Sequence, residues 1–195
     1  PVLRGTLDGI GTSQGGMHVT EAGVDTVDAD FAATDHATAF ERAVAEIERI
    51  EAVRIDAIGH RVVHGGSQFR GPVRVDETVL EELRRLIPFA PLHQPIQVSL
   101  IEAARARFPL VNQVACFDTS IHRSLPDVAA RLPLPRWVWE EGIRRYGFHG
   151  LSYESVLDAH SEFRHGRTII AHLGNGASIT AFEDGVSVET SMGFT

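Results

Sequence analysis

Four short segments of the chain combine residue types whose spacing suits phosphoryl-transfer chemistry. Between Arg167 and Phe182, two apolar, strand-like runs are joined by Gly174-Asn175-Gly176. Glycine lacks a Cβ and accepts positive φ, so the N–H groups of such a turn can approach a phosphate closely. The same Asn-Gly pairing is also the strongest short-range signal for an ordinary hairpin. In Gly59-His60-Arg61-Val62-Val63-His64-Gly65-Gly66, strand alternation aims Arg61 and Val63 to one face. A guanidinium fork beside an aliphatic wall suits a small carboxylate; the alternative is a core strand with a satisfied arginine. His60 and His64, at i and i+4, admit a metal reading for which no third ligand is evident. Asp118 follows an apolar run in Phe117-Asp118-Thr119-Ser120, where open α/β sheets place ligands outside strand ends. Its carboxylate suits Mg2+ or acid–base work, or else an Asx-turn or helix cap. His149, between Phe148 and Gly150, could donate to a transferring phosphoryl group, whose charge spreads over three oxygens. A structural histidine is the alternative there.

These segments need strands and helices to hold them, and the pattern supplies both in alternation. Residues 1 to 33 read as hairpins or edge strands. Phe40, Val44, Ile47 and Ile50 recur at helical spacing behind Thr34 or Asp35 as N-cap. Ile55 to Val63 reads as a buried strand ended by Gly65-Gly66. A second helix starts near Asp76 or Thr78, where Thr78 and Glu81 suit a capping box, and stops at Pro88. A third runs from Pro95 to near Pro109, and Val111 to Phe117 reads as another buried strand. Pro126, Pro133 and Pro135 make residues 123 to 140 an irregular connection and a domain boundary. Ser152 is placed to cap a helix through about His160. Three strands follow near 167 to 173, 177 to 182 and 186 to 190, the second joint being Asp184-Gly185. Strands alternating with helices predict an α/β fold.

Composition narrows the function. With 195 residues, 43% of them hydrophobic, the chain can bury a sizeable core as one large domain or two small ones. The net charge of -8 disfavours nucleic acid and anionic membranes as partners. Nothing approaches the roughly 18 consecutive apolar residues of a membrane span, and no leader pattern opens the sequence, so a cytoplasmic location is expected. The single cysteine, Cys116, reads as a small buried apolar group. All 18 Lys-plus-Arg residues are arginine, so no lysine is available for a Walker-type phosphate contact.

Together these segments resemble the acetate kinase family, among the short-chain carboxylate kinases. GHRVVHGG, APLHQP, CFDTSIH, RRYGFHG, HLGNGASIT and VETSMGFT occur in the family's order across residues 59 to 195. The resemblance implies the α/β fold of sugar kinases, Hsp70 and actin, a ribonuclease H-like two-domain fold present here in part. Residues 1–122 would form the acyl-substrate side without its first strand, and 123–195 the start of the nucleotide-binding side. The implied reaction is ATP-dependent, reversible phosphorylation of acetate to acetyl phosphate, with ATP/ADP and Mg2+. A sibling acting on propionate or butyrate, or a non-catalytic fragment, are the alternatives. Carried over residue by residue, Arg61 would bind the carboxylate, and Val63 and Leu92 would line the methyl pocket with Phe148 beside it. Asp118 and His149 would be catalytic, and His172, Leu173, Gly174, Asn175 and Gly176 would form the phosphate loop. The chain departs from the family's usual FHGTSH at Leu151 and Tyr153, and has Gln94 where asparagine is usual. The family's serine-rich opening segment has no counterpart before Pro1-Val2-Leu3, and its acyl-pocket proline, a catalytic arginine and most of the nucleotide domain would follow Thr195. The expectation is therefore a partial chain, a homodimer when complete.

Overall fold

The structure is a computed structural model that describes residues 3–21, 23–31, 33–49 and 54–194. Two compact units emerge: Pro1–Asp56 with Ser99–Val111, and Ala57–Val98 with Asn112–Thr195.

The first unit holds an antiparallel meander, β1 (Leu3–Asp8), β2 (Gly16–Glu21) and β3 (Val24–Asp30), in which Leu3 pairs with Glu21 and Gly16 with Asp30. The hairpins expected for residues 1 to 33 are thus formed. Helix α1 (His36–Glu48) follows, its first turn held by the Asp35 carboxylate accepting from Thr38 N at 2.8 Å. Val44 is buried on its inner face, while Ile50 lies outside the described residues. Helix α3 (Gln94–Arg107) begins in the second unit and ends in the first, where Arg107 pairs with Glu48.

The second unit is built on two sheets. In the first, β4 (Ala57–Val62), β6 (Asn112–Phe117) and β5 (Val73–Arg74) lie in the order β4-β6-β5, with β4 parallel to β6. Ile55 to Val63 reads as a buried strand, yet among the described residues β4 pairs with β6 alone and its side chains are partly exposed until Val62. The local apolar run cannot report which strand ends a sheet, since strand order is set by distant segments. Helix α2 (Glu77–Arg85) is capped by Asp76, whose carboxylate accepts from Val79 N at 2.8 Å. Thr78 therefore sits inside the helix and its capping box with Glu81 does not form. Cys116 is half-buried in β6, its thiol pushed up by burial and by Glu154.

After two short helices, α4 (Asp127–Ala130) and α5 (Arg136–Glu140), helix α6 (Gly150–Ala159) leads into β7 (Arg167–Leu173), β8 (Ala177–Glu183) and β9 (Val186–Thr190). These three form the predicted antiparallel meander. Asp184 and Gly185 both take positive φ, 48° and 76°, as a two-residue primed turn requires. Tyr153 and Leu157 of α6 pack on Phe182 of β8, with Ile121 and Ile170 alongside, joining helix to meander.

Candidate functional site

Where β4 and β6 end, the backbone sets two facing groups. Asp118 N donates to Val62 O at 3.0 Å, continuing the parallel ladder one residue beyond the strands. The buried Asp118 carboxylate, with 2% of its side chain exposed, is gripped by Arg61: Nε donates at 3.1 Å and Nη2 at 2.6 Å to Oδ2. This pairing raises the Arg61 pKa against the burial that opposes it. A guanidinium has five N–H donors, so Arg61 retains others for an anion. The arginine is thus satisfied by Asp118 while keeping donors that an anion could use.

The next residues are held by two glutamines on the start of α3. Gln97 Oε1 accepts from Val63 N at 2.9 Å. Gln94, fully buried, accepts from His64 N at 3.3 Å and donates to His64 O at 3.1 Å. Its longer side chain, where the family resemblance leads one to expect asparagine, fills both backbone roles. Val63 then packs against Ala90 and Phe148, with Met192 beside them. His64 and His60 bind Gly66 N and the Gln113 side chain respectively. Among the described residues no three His, Cys, Asp or Glu side chains come together as a metal cage.

The segment Arg144–Gly150 is pinned from below. Buried His122 bonds Phe148 O through Nε2 at 3.0 Å and Ser187 Oγ through Nδ1 at 2.9 Å. Gly147 takes φ 78° against that ring, and a Cβ there would lie 2.4 Å from it. His149 itself adopts φ 61°, the left-handed region, as the N-cap residue of α6. Ser152, expected as the cap, lies one turn inside the helix and instead bonds His172 Nδ1 at 2.9 Å. Left-handed backbone in a non-glycine residue costs about 1–2 kcal/mol, and the tightness around Gly150 explains why it persists. Gly150 N donates to Asp118 O at 2.9 Å, and a Cβ on Gly150 would sit 2.2 Å from that oxygen.

His149 and His172 stack with ring centroids 4.1 Å apart. Each presents Nδ1 to a serine hydroxyl: His149 to Ser178 at 2.8 Å, and His172 to Ser152. Their Nε2 atoms lie against the glycine turn, where a Cβ on Gly176 would come within 3.3 Å of His149 and one on Gly174 within 2.8 Å of His172. Neither Gly174 nor Gly176 has positive φ. Glycine is needed in this turn for space beside two imidazoles rather than for backbone handedness. Burial lowers the His149 pKa, helped by His172 and opposed by Asp118.

A cleft of about 650 Å³ opens among these groups, bordered by Arg61, Val63, Asp118, Phe148, His149, His172, Asn175 and Gly176. Eight of the eleven residues singled out from sequence therefore converge. Leu92, Leu173 and Gly174 do not line it: Leu92 is 79% and Leu173 82% exposed. Strand alternation explains Leu173, because β7 turns His172 to the cleft face and its neighbour to the opposite one. Leu92 sits in the turn just before α3, its side chain outward. Sequence reasoning missed His93, Gln97 and Met192 on the rim and Ser178 behind His149. Ser178 was legible only through pairing, since it stands opposite His172 in the β7–β8 register.

Similarity to known proteins identifies the family and the fold. The family model described as Acetokinase family matches residues 1–195. An acetate kinase from Methylocella silvestris is 49% identical over 174 residues, covering 87% of this chain and 42% of that protein. One from Rhizobium meliloti is 41% identical, covering 97% of this chain and 50% of its own length. Among solved structures, a propionate kinase from Francisella tularensis superposes with TM-score 0.89 at 33% identity, covering 98% of this chain and 51% of that one. The Porphyromonas gingivalis acetate kinase gives 0.84 at 30%, covering 100% and 52%. The chain thus spans about half the length of the relatives it matches and carries part of their α/β, sugar kinase/Hsp70/actin-like fold. A family match along every residue, joined to this shared fold, means that the chain belongs to the acetokinase family.

Proposed function

We propose that this chain carries the acyl and phosphoryl half-sites of a kinase that transfers the γ-phosphoryl group of ATP to acetate, reversibly, giving acetyl phosphate and ADP. The observation that carries the reading is the convergence of Arg61, an apolar wall and two imidazole Nε2 atoms beside a glycine turn on one cleft. In the forward direction a carboxylate oxygen bonds to the γ-phosphorus as the bond from phosphorus to the ADP oxygen breaks, the pair leaving with ADP. Acetate is already ionised at neutral pH, so no proton must be removed from the nucleophile. Arg61 holds the carboxylate with the donors that Asp118 leaves over, while Val63, Phe148 and Met192 face the methyl group. Leu92 joins that pocket on the family resemblance. His149 donates to the phosphoryl oxygens, where charge develops. His172, Asn175 and Gly176, with Leu173 and Gly174 completing the turn, hold the nucleotide phosphates.

Asp118 aims Arg61 and borders the cleft, and its carboxylate would fit Mg2+, an ion bound by one or two carboxylates together with substrate phosphates. When bound, such an ion neutralises charge on the transferring oxygens. Residues 1–122 and 123–195 correspond on this reading to the acyl and nucleotide sides, and both contribute to the cleft. A cytoplasmic homodimer, without nucleic-acid or membrane partners, completes the proposal; among the described residues no helix is long and apolar enough to cross a membrane.

The test is hydroxylamine capture of acyl phosphate with Arg61→Ala in a complete enzyme. The acetate requirement should rise at least about tenfold and turnover should fall, from loss of a charge-assisted fork; unchanged kinetics dismiss the Arg61 assignment. The similarity to a propionate kinase favours a sibling specificity as the second reading. One methylene is worth about 1–3 kcal/mol, so acetate, propionate and butyrate are compared in the same assay. Product formation by the 195-residue chain alone would rule out an inert fragment.

A further inference from the structure

Behind His149 lies a buried pair of hydroxyls. Ser178, 2% exposed, sits between His149 Nδ1 at 2.8 Å and the Tyr153 hydroxyl at 2.5 Å. Tyr153 is fully buried and wedged edge-on between His122 and Phe182, ring centroids 5.8 Å from each, so its hydroxyl cannot swing elsewhere. Among the described residues its hydroxyl bonds Ser178 alone. A buried hydroxyl whose proton has no acceptor is costly. Tyr153 must therefore donate to Ser178. Among the described residues the single Ser178 proton then has one acceptor, His149 Nδ1.

From this proton count we infer that Tyr153 and Ser178 are positioning residues that force neutral His149 to carry its hydrogen on Nε2, the atom facing the Gly174–Gly176 turn. The inference deepens the proposed function and rests on it for its catalytic meaning. A histidine whose Nδ1 accepts is a donor at Nε2, which is the polarity that developing negative charge on a phosphoryl group needs. The opposite tautomer would present a lone pair to that charge. Among the described residues the neighbouring His172 has no such chain behind it: its Nδ1 bonds Ser152, which no phenol drives. Leu151 and Tyr153 are the two positions where the chain departs from the family's usual loop, and one of them orients the imidazole kept there.

The test combines imidazole nitrogen NMR near pH 7.5 with kinetics in a complete enzyme. His149 should show an acceptor-type Nδ1 and a protonated Nε2. Tyr153→Phe and Ser178→Ala should move both nitrogens toward tautomeric averaging, Ser178→Thr should restore the original pattern, and Ser152→Ala should leave His149 unchanged. Turnover should fall about threefold in Tyr153→Phe and about tenfold or more in Ser178→Ala, with the acetate KM altered less than about twofold. Ser178→Thr keeps the hydroxyl, so its recovery separates a positioning role from lost packing even if Ser178→Ala folds poorly. A protonated Nδ1 in the parent chain, or a Tyr153→Phe spectrum identical to it, overturns the inference. If the tautomer follows this pattern while His149→Ala retains full turnover, the proposed function fails and the hydroxyl chain stands. If His149→Ala is inactive but the tautomer ignores Tyr153, the reverse holds.

Discussion

Gly150→Ala sets two physical effects against each other. Gly150 is the first residue of α6, and alanine is the better helix former by about 0.5–1 kcal/mol. Against that, the added methyl would lie 2.2 Å from Asp118 O and 3.0 Å from Ile121 Cγ2. A carbon–oxygen contact needs more than about 3.2 Å, so the backbone must open by about 1 Å. That opening costs about 1–3 kcal/mol as overpacking, and about 1 kcal/mol more as the 2.9 Å bond from Gly150 N to Asp118 O stretches. Sterics win, and the net loss is about 2 kcal/mol. With a urea slope near 2 kcal/mol/M, the unfolding midpoint should drop by about 1 M. Because His149 precedes this residue, its ring shifts by a similar distance, and about a hundredfold of turnover goes with it in a complete enzyme. Adding Ile121→Ala should not rescue the variant, since the obstructing oxygen belongs to the backbone. A Gly150→Ala chain as stable as the parent, or more stable, refutes the close approach that holds His149 over the cleft.

Two further outcomes follow from the same geometry. At His149, with φ 61°, glycine and alanine both delete the imidazole, so their difference isolates the backbone: His149→Gly should be about 1 kcal/mol more stable than His149→Ala, and His149→Val less stable than either. Equal urea midpoints for the three would remove the strain from the account. Burial lowers the pKa of His64 and of His122 to about 4 from an ordinary 6.5. The unfolded chain then binds more protons than the folded one between those values. Stability is full above pH 6.5 and declines as pH falls toward 4, with about 2 kcal/mol lost per imidazole by pH 5. Urea titrations at pH 7 and pH 5 measure this directly, and a flat profile would contradict the buried neutral state of both rings.

Local chemistry in the chain was enough to single out the Gly174-Asn175-Gly176 bend, the Arg61–Val63 face, Asp118 and His149, because each depends on residue type and short spacing. The meander over β7 to β9 and the cap at Asp35 were readable for the same reason. Errors arose where the deciding partner is distant. β4 reads as buried because its apolar run says nothing of strand order, though among the described residues it pairs with β6 alone, and Ser152 looks like a cap because the left-handed turn at His149 is held by Asp118 from another element. Leu173 shares a motif with His172 yet faces away from the cleft, a consequence of strand alternation that a motif read as one loop conceals.

What residue order alone determined is the inventory: which groups can bind a carboxylate, approach phosphate or donate to it, and the alternating elements that carry them. What tertiary packing decided is direction. Arg61 has donors to spare only because Asp118 takes a known share, and His149 carries its hydrogen on Nε2 only because Ser178, twenty-nine residues along the chain and held in turn by Tyr153, occupies its other nitrogen. Hydrogen-bond polarity depends on who stands at the far end of the chain of donors, and that is a property of three-dimensional neighbours rather than of sequence neighbours.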